Sequence, residues 1–263
     1  KVSIVTSKAQ TTRHRIMGIV NDENYQIVFS DTPGVLNAAY KLHESMMDSV
    51  NTSLKDADVL LFITDTLENQ MNHEETLEKI KKLRVPVICL INKIDLSDQE
   101  AVMARIAYWQ EQLPNAIIYP ISALHGFNLE PIWEKVIELI PESPPYYDKD
   151  EISDRPMRFF VSEIVREKIF LNCDKEIPYS CQVEIEEYKE EANITRIRAL
   201  IIVERDSQRG ILIGKGGDMI KRIGWDARKE IEKFIGQKVF LETYVKVDKD
   251  WRTTDSKLKK YGY

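Results

Sequence analysis

The sequence predicts two units in tandem: an α/β domain with a doubly wound, mostly parallel sheet, then a small α+β domain with helices on one side of its sheet. Three observations predict this. Before residue 141 the apolar runs YQIVF, DVLLFI, PVICLI and AIIYPI alternate with stretches of helical period, and strands without polar alternation belong to parallel sheets covered on both faces. The segment PESPPYYDKDEISDRP, residues 141–156, is rich in proline and acid and lacks any apolar period, as linkers do. After it CQVEIEE alternates apolar and polar residues, and the patterns follow the order α-β-β-α-α-β, which implies a small sheet with its helices to one side. The expected boundaries are residues 1–143, 144–156 and 157–263.

In chain order, YQIVF is the first strand and a helical pattern begins at about Leu42. Helices over residues 74–83, 99–113 and 129–140 then alternate with DVLLFI, PVICLI and AIIYPI. Ligands of such folds sit at the carboxyl ends of the strands. Beyond the linker come a helix over residues 157–171, the strands CQVEIEE and ITRIRALIIVE, two helices separated by GKGG, and the strand KVFLETYVKV.

With 43% hydrophobic residues in 263, the chain can bury a core in each unit. Its longest apolar runs, residues 59–63 and 85–91, are strand-sized, far short of the roughly 18 residues of a membrane helix. No signal peptide is visible. Cys89, Cys173 and Cys181 form no CxxC pair, and His14, His43, His73 and His125 show no ligand spacing; neither zinc nor a disulfide framework is indicated, as suits a reducing cytoplasm. Charge is uneven. Residues 1–148 carry 13 Lys+Arg against 21 Asp+Glu, residues 149–204 carry 9 against 13, and residues 205–263 carry 15 against 9. The last segment invites a polyanion, and the acidic first domain is expected to attract it when no polyanion is bound.

Three strands end in polar groups suited to a nucleotide. YQIVF runs into SDTPGV, placing Asp31 at the strand tip, where a carboxylate can hold Mg2+ through water, and Gly34 in the turn, where a backbone N–H can approach a terminal phosphate. PVICLI runs into NKID. Asp95 can accept from the ring N–H and exocyclic amine of guanine, Asn92 can contact the purine edge, and the Lys93 stem can cover the ring; adenine lacks that donor pair and would leave the carboxylate unpaired. AIIYPI runs into Ser122 and Ala123, small residues that let backbone N–H groups reach the guanine carbonyl. Upstream, Thr11 and Thr12 each offer a hydroxyl for Mg2+. Any one of these motifs alone is an ordinary turn; their order at successive strand ends is specific.

GILIGKGGDMIKRIG, residues 210–224, is the other phosphate-type loop. It has three residues between its first two glycines and Gly216 where a Mg2+-binding hydroxyl is needed, so it is no G-x-x-x-x-G-K-[ST] cradle. Between two helices in a basic segment, a GxxG loop of Gly214, Lys215, Gly216 and Gly217 brings backbone against a nucleic-acid strand, with Lys221 and Arg222 following on the next helix. Ile211, Leu212 and Ile213 either pack the core or line a groove for bases.

The order threonine segment, DTPG, NKID, SAL resembles the guanine-nucleotide domain of translation-factor-class P-loop GTPases, and the second unit resembles a type II KH domain. Over essentially the whole chain, through KAQTTRHRIMGI, FSDTPG, INKID, ISAL, VERDSQRGILIGKGG and VKVDKDWR, the sequence is similar to the Era family of bacterial ribosome-assembly GTPases. The resemblance implies a P-loop-type GTPase domain followed by a KH domain, with GTP/GDP and Mg2+ as cofactors. It implies binding of the 3′ end of small-subunit ribosomal RNA, a role in assembling that subunit, a monomer in the cytoplasm, and peripheral contact with the inner face of the cell membrane. Thr12 would be the switch threonine and, with Asp31, hold Mg2+; Asp31 and Gly34 would sense the γ-phosphate; Asn92, Lys93, Asp95, Ser122 and Ala123 would select guanine; Gly214, Lys215, Gly216, Gly217, Ile211, Ile213, Lys221 and Arg222 would meet RNA.

Two departures stand out. The first strand, P-loop and first helix of that pattern would lie upstream of Lys1, so the residues from Lys1 onward, taken alone, are expected to bind nucleotide poorly. Position 35 is Val where Ras-type enzymes carry the water-orienting glutamine, and slow intrinsic turnover is expected. The alternatives are an RNA-binding module with an incomplete nucleotide site, and a metabolic enzyme of doubly wound fold, for which no general-base or nucleophile constellation is present.

Overall fold

The computed structural model describes residues 2–67 and 74–263; Lys1 and His73 lie outside the described residues. The chain opens with an extended segment and an antiparallel hairpin, β1 (Ile16–Asn21) and β2 (Gln26–Asp31), with Ile16 opposite Asp31. Then follow α1 (Lys41–Asp56), β3 (Leu60–Asp65), α2 (Glu74–Lys81), β4 (Val87–Asn92), α3 (Gln99–Gln112), β5 (Ile117–Pro120) and α4 (Glu130–Leu139). Strands β3, β4 and β5 form a parallel sheet with β4 in the middle. The hairpin is a separate sheet, not hydrogen-bonded to β3.

The middle strand shows why the apolar run was continuous. Cys89 and Ile91 pack with Leu77, Ile80, Trp109 and Leu113 of α2, α3 and its exit. Ile88 and Leu90 face the other way, onto Ile27 of the hairpin and Ile132 and Val136 of α4. Both faces of β4 are therefore covered, and its tip opens into the site. Helix α3 starts at Asp98, whose carboxylate accepts from the Ala101 N–H and satisfies one of the unpaired amides of the first turn.

The second domain contains α5 (Met157–Asn172), the single turn α6 (Ile177–Ser180), β6 (Gln182–Glu190), β7 (Thr195–Val203), α7 (Asp206–Ile213), α8 (Asp218–Ile235), β8 (Val239–Val247) and α9 (Asp255–Lys260). Strand β7 is central, antiparallel to β6 and parallel to β8. Its inward residues Ile197, Ala199, Ile201 and Val203 meet Val161, Val165 and Ile169 of α5, Leu212 of α7, and Ile223, Ala227 and Ile231 of α8. Those three α8 positions recur every four residues, the stripe that turns one face of a helix to a sheet.

Leu200 and Ile202 point to the opposite face of β7 and are buried as well, because the first domain and the C-terminal residues of the second together cover them. They pack with Leu36, Leu42 and Met46 from the β2 exit and α1, and with Trp251, Leu258 and Tyr261. Around this apolar contact run polar ties, those of Arg13 buried and those of Lys8 partly exposed. The Arg13 guanidinium donates to the carbonyls of Cys181 (2.7 Å), Tyr179 (2.9 Å) and Pro178 (3.1 Å). Lys8 Nζ donates to the carbonyls of Phe170 and Cys173 and pairs with Asp174. His14 stacks on Tyr263 at 4.3 Å, and burial pushes its pKa down to about 4, keeping it neutral.

Residues 144–156 run along the hairpin. The Ile152 carbonyl accepts from the Ile19 N–H (2.9 Å), Ser153 Oγ donates to the Met17 carbonyl (2.5 Å), and Arg155 donates to the Arg15 carbonyl (2.7 Å).

Candidate nucleotide site and nucleic-acid interface

Two strand tips build the first site. Asp31 is the last residue of β2, and the Thr12 hydroxyl donates to its Oδ2 at 3.4 Å. A hydroxyl and a carboxylate oxygen side by side are the hard donors Mg2+ takes, so this pair fits the ion. Thr11, one residue back, is held instead through its carbonyl, which accepts from Arg166 Nη2 at 2.5 Å. Gly34 is exposed, and a side chain there would meet nothing within 4 Å, leaving open approach to the turn.

At the tip of β4 the chain turns through Lys93, whose φ of 61° lies in the left-handed region, uncommon for a non-glycine residue and seen where neighbours enforce it. Here Lys93 Nζ pairs with Asp65 Oδ2 at 2.6 Å, its N–H donates to Asn92 Oδ1 at 2.8 Å, and its carbonyl accepts from the Thr66 hydroxyl. Asn92 Oδ1 also accepts from the Ala123 N–H at 3.0 Å, tying the tip of β4 to the turn after β5. Asp95 Oδ1 accepts from the buried Ser122 hydroxyl at 2.5 Å. That bond holds the Asp95 carboxyl below the usual carboxylate range, with a smaller contribution from His125. The carboxylate thus stays an acceptor. Its other oxygen, Oδ2, lies 3.9 Å from His125 Nε2.

An open cavity of about 490 Å3 lies beside this cluster, lined by Ile63, Thr64, Asp65, Leu67, Asn92 and Lys93. Asp65 and Thr66, at the end of β3, were not singled out in the sequence. The signal was present, since DVLLFI runs into TD just as the other two strands run into polar residues.

The second site lies between α7 and α8. Gly214 closes α7 at φ 74° and ψ 177°, and a Cβ there would come within 2.8 Å of the Met219 backbone nitrogen, so only glycine fits. Gly217, at φ 85°, precedes the first turn of α8. Of the three apolar residues before the loop, Leu212 is fully buried in the core, Ile211 is 50% exposed and Ile213 is half-buried. Lys215, Lys221 and Arg222 are exposed, and Lys221 Nζ lies 3.5 Å from the Gly216 carbonyl. The loop thus presents glycine backbone flanked by cations at the start of a helix, an arrangement that receives phosphate.

A strand-tip cluster suited to guanine and Mg2+, joined to an α-β-β-α-α-β domain with a GxxG loop, defines a GTPase carrying a KH domain. Comparison with known proteins gives the same pair. Residues 1–93 match the family described as 50S ribosome-binding GTPase, and residues 176–252 match the KH domain. The GTPase Era of Geotalea uraniireducens is 45% identical over all of this chain and 89% of its own length, and that of Staphylococcus haemolyticus is 41% identical over the same shares. The chain belongs to the GTPase Era family. Among solved structures, Era in complex with MgGDPNP and nucleotides 1506–1542 of 16S ribosomal RNA superimposes with a TM-score of 0.94 at 39% identity, covering all of this chain and 90% of that one. A single-substitution variant of Aquifex aeolicus Era bound to GDP.AlF4- gives the same score and identity, with 91% of its chain covered.

Proposed function

We propose that the protein is a guanine-nucleotide switch that hydrolyses GTP, binds the 3′ region of small-subunit ribosomal RNA through its KH domain, and acts in assembly of the small subunit. One observation carries the reading: Thr12, whose hydroxyl reaches Asp31, lies between two residues fastened to the KH domain, Thr11 by Arg166 and Arg13 by three carbonyls. The segment that would sense nucleotide is therefore also part of the RNA-binding domain's surface. The complex of the related Era with 16S ribosomal RNA supports the small subunit as the RNA's source.

Thr12 and Asp31 would hold Mg2+, which when bound neutralises charge on the β- and γ-phosphates. Asp95 accepts from the guanine edge, Ser122 keeps its carboxylate oriented, and Asn92 braces the turn after β5. Val35 offers no polar group to orient water, so intrinsic hydrolysis is slow. The same reading places the protein in the cytoplasm as a monomer, with peripheral membrane contact supported by the family resemblance alone; no helix among the described residues is long and apolar enough to cross a membrane. Nucleotide competition tests the proposal. GDP and GTP should displace a fluorescent guanine nucleotide while ATP does not, and equal displacement by ATP would refute guanine selection.

A further inference from the structure

We propose that Trp225, with the cations around it, forms a second RNA-contact surface on α8 that stacks a base of the strand continuing from the GKGG loop; this rests on the RNA-binding reading above. Helix α8 buries Ile223, Ala227 and Ile231 completely. Trp225 is two residues past Ile223, about 200° around the axis, and so faces away from the sheet. It is 54% exposed and belongs to none of the core clusters. A large aromatic on the polar face of an amphipathic helix has no packing role to explain it.

Its neighbours on that face are basic. Lys221 and Arg222 lie one turn before it and Arg228 and Lys229 one turn after, the spacing at which helical side chains meet. Arg228 Cζ is 4.7 Å and Lys229 Nζ 4.8 Å from the indole centroid. The acids beside and beyond Trp225 turn elsewhere: Asp226 accepts from Asn172 of α5, Glu230 approaches Lys168 of α5, and Glu232 accepts from the Val239 N–H; Asp218 is exposed on the first turn, two turns before the indole. What remains is one indole among four cations, the combination of π-face and positive charge that binds single-stranded nucleic acid without reading base edges.

The surface is continuous with the loop. From Gly217 to Trp225 the axis rises about 12 Å, and Lys221 lies between, its Nζ near the Gly216 carbonyl. A GxxG clamp takes about four nucleotides, whereas the RNA in the related complex runs from nucleotide 1506 to 1542, so most of such an RNA must rest outside the clamp. A base stacked on an aromatic ring outweighs an exposed cation–π contact. An arriving base therefore takes the indole face, and the displaced cation turns to the flanking phosphate.

The test is equilibrium binding of the intact protein to an RNA spanning nucleotides 1506–1542 of 16S ribosomal RNA. Trp225→Ala should weaken binding about five- to a hundredfold, while Trp225→Phe, which keeps a ring, stays within about threefold of the parent. Because Trp225 lies outside the core, both variants should unfold thermally like the parent. A loop variant, Lys215→Asp with Gly216→Asp, places negative charge in the clamp and should abolish binding. If Trp225→Ala binds like the parent while the loop variant does not, the stacking surface is wrong and the RNA-binding reading stands. If Trp225→Phe is as weak as Trp225→Ala, stacking is wrong. If the loop variant binds like the parent, the clamp reading fails and takes this proposal with it.

Discussion

In the proposed function, guanine selection rests on Asp95. Its carboxylate accepts a 2.5 Å hydrogen bond from the buried Ser122 hydroxyl. Replacing Asp95 by Asn exchanges one acceptor oxygen for a donor amide facing the donors of guanine. Loss of a hydrogen bond to a charged group is worth about 1.5–3 kcal/mol, so Asp95→Asn should weaken GDP binding roughly ten- to a hundredfold and leave the weak binding of ATP unchanged. Titration calorimetry with both nucleotides reads this directly, and unchanged GDP affinity would remove Asp95 from the site. Much of this cluster was legible in the sequence, because the strands announce themselves as apolar runs and their polar exits stand out. What was hidden is the bracing. The Asn92 to Ala123 bond spans 31 positions and that from Lys93 to Asp65 spans 28, so neither shows as a local pattern.

At the scale of single elements, α5 ties the two sites together. Arg166 is 1% exposed, pairs with Glu163 through two nitrogens, and reaches on to the Thr11 carbonyl. Burial alone would raise the Glu163 carboxyl, but the guanidinium outweighs it and holds that carboxyl below its usual range. Breaking such a pair strands a buried charge at a cost of about 3–5 kcal/mol, whereas replacing both partners with apolar residues of similar volume costs far less. Denaturant unfolding should therefore show Arg166→Ala destabilised by about that amount and the double variant Glu163→Leu, Arg166→Met much closer to the parent. Equal losses in both would mean that the pair itself, rather than a stranded charge, matters. Several element-level features escaped the sequence reading, among them the short helices α6 and α9. Strand β1 was missed because in RIMGIVND the two buried residues, Ile16 and Ile19, are three apart and so on opposite faces, and Gly18 interrupts the run. The outward side of β7, apolar at Leu200 and Ile202, has its partners far off in the sequence, Leu36, Leu42 and Met46 of the first domain and Trp251, Leu258 and Tyr261 of the chain's end.

For the whole molecule, the junction is where the coupling proposed between the two sites would run. Charge balance suggested attraction between an acidic first domain and a basic last segment. The junction is made otherwise: apolar residues of α1 meet Leu200, Ile202 and Trp251, while basic side chains of the acidic domain, Lys8 and Arg13, bond to carbonyls of the second. Those partners lie 162 to 168 positions apart, beyond any sequence pattern. In the proposed function the residue that would sense nucleotide, Thr12, lies on a segment bonded to the domain that would clamp RNA, and such a shared segment would make coupling reciprocal: what nucleotide does to RNA affinity, RNA does to nucleotide affinity. The most direct measurement is the affinity for the RNA of nucleotides 1506–1542 with Mg2+ and a non-hydrolysable GTP analogue, compared with GDP. The account predicts affinities that differ by at least about fivefold between the two nucleotides; identical affinities, with both nucleotides bound, would contradict it.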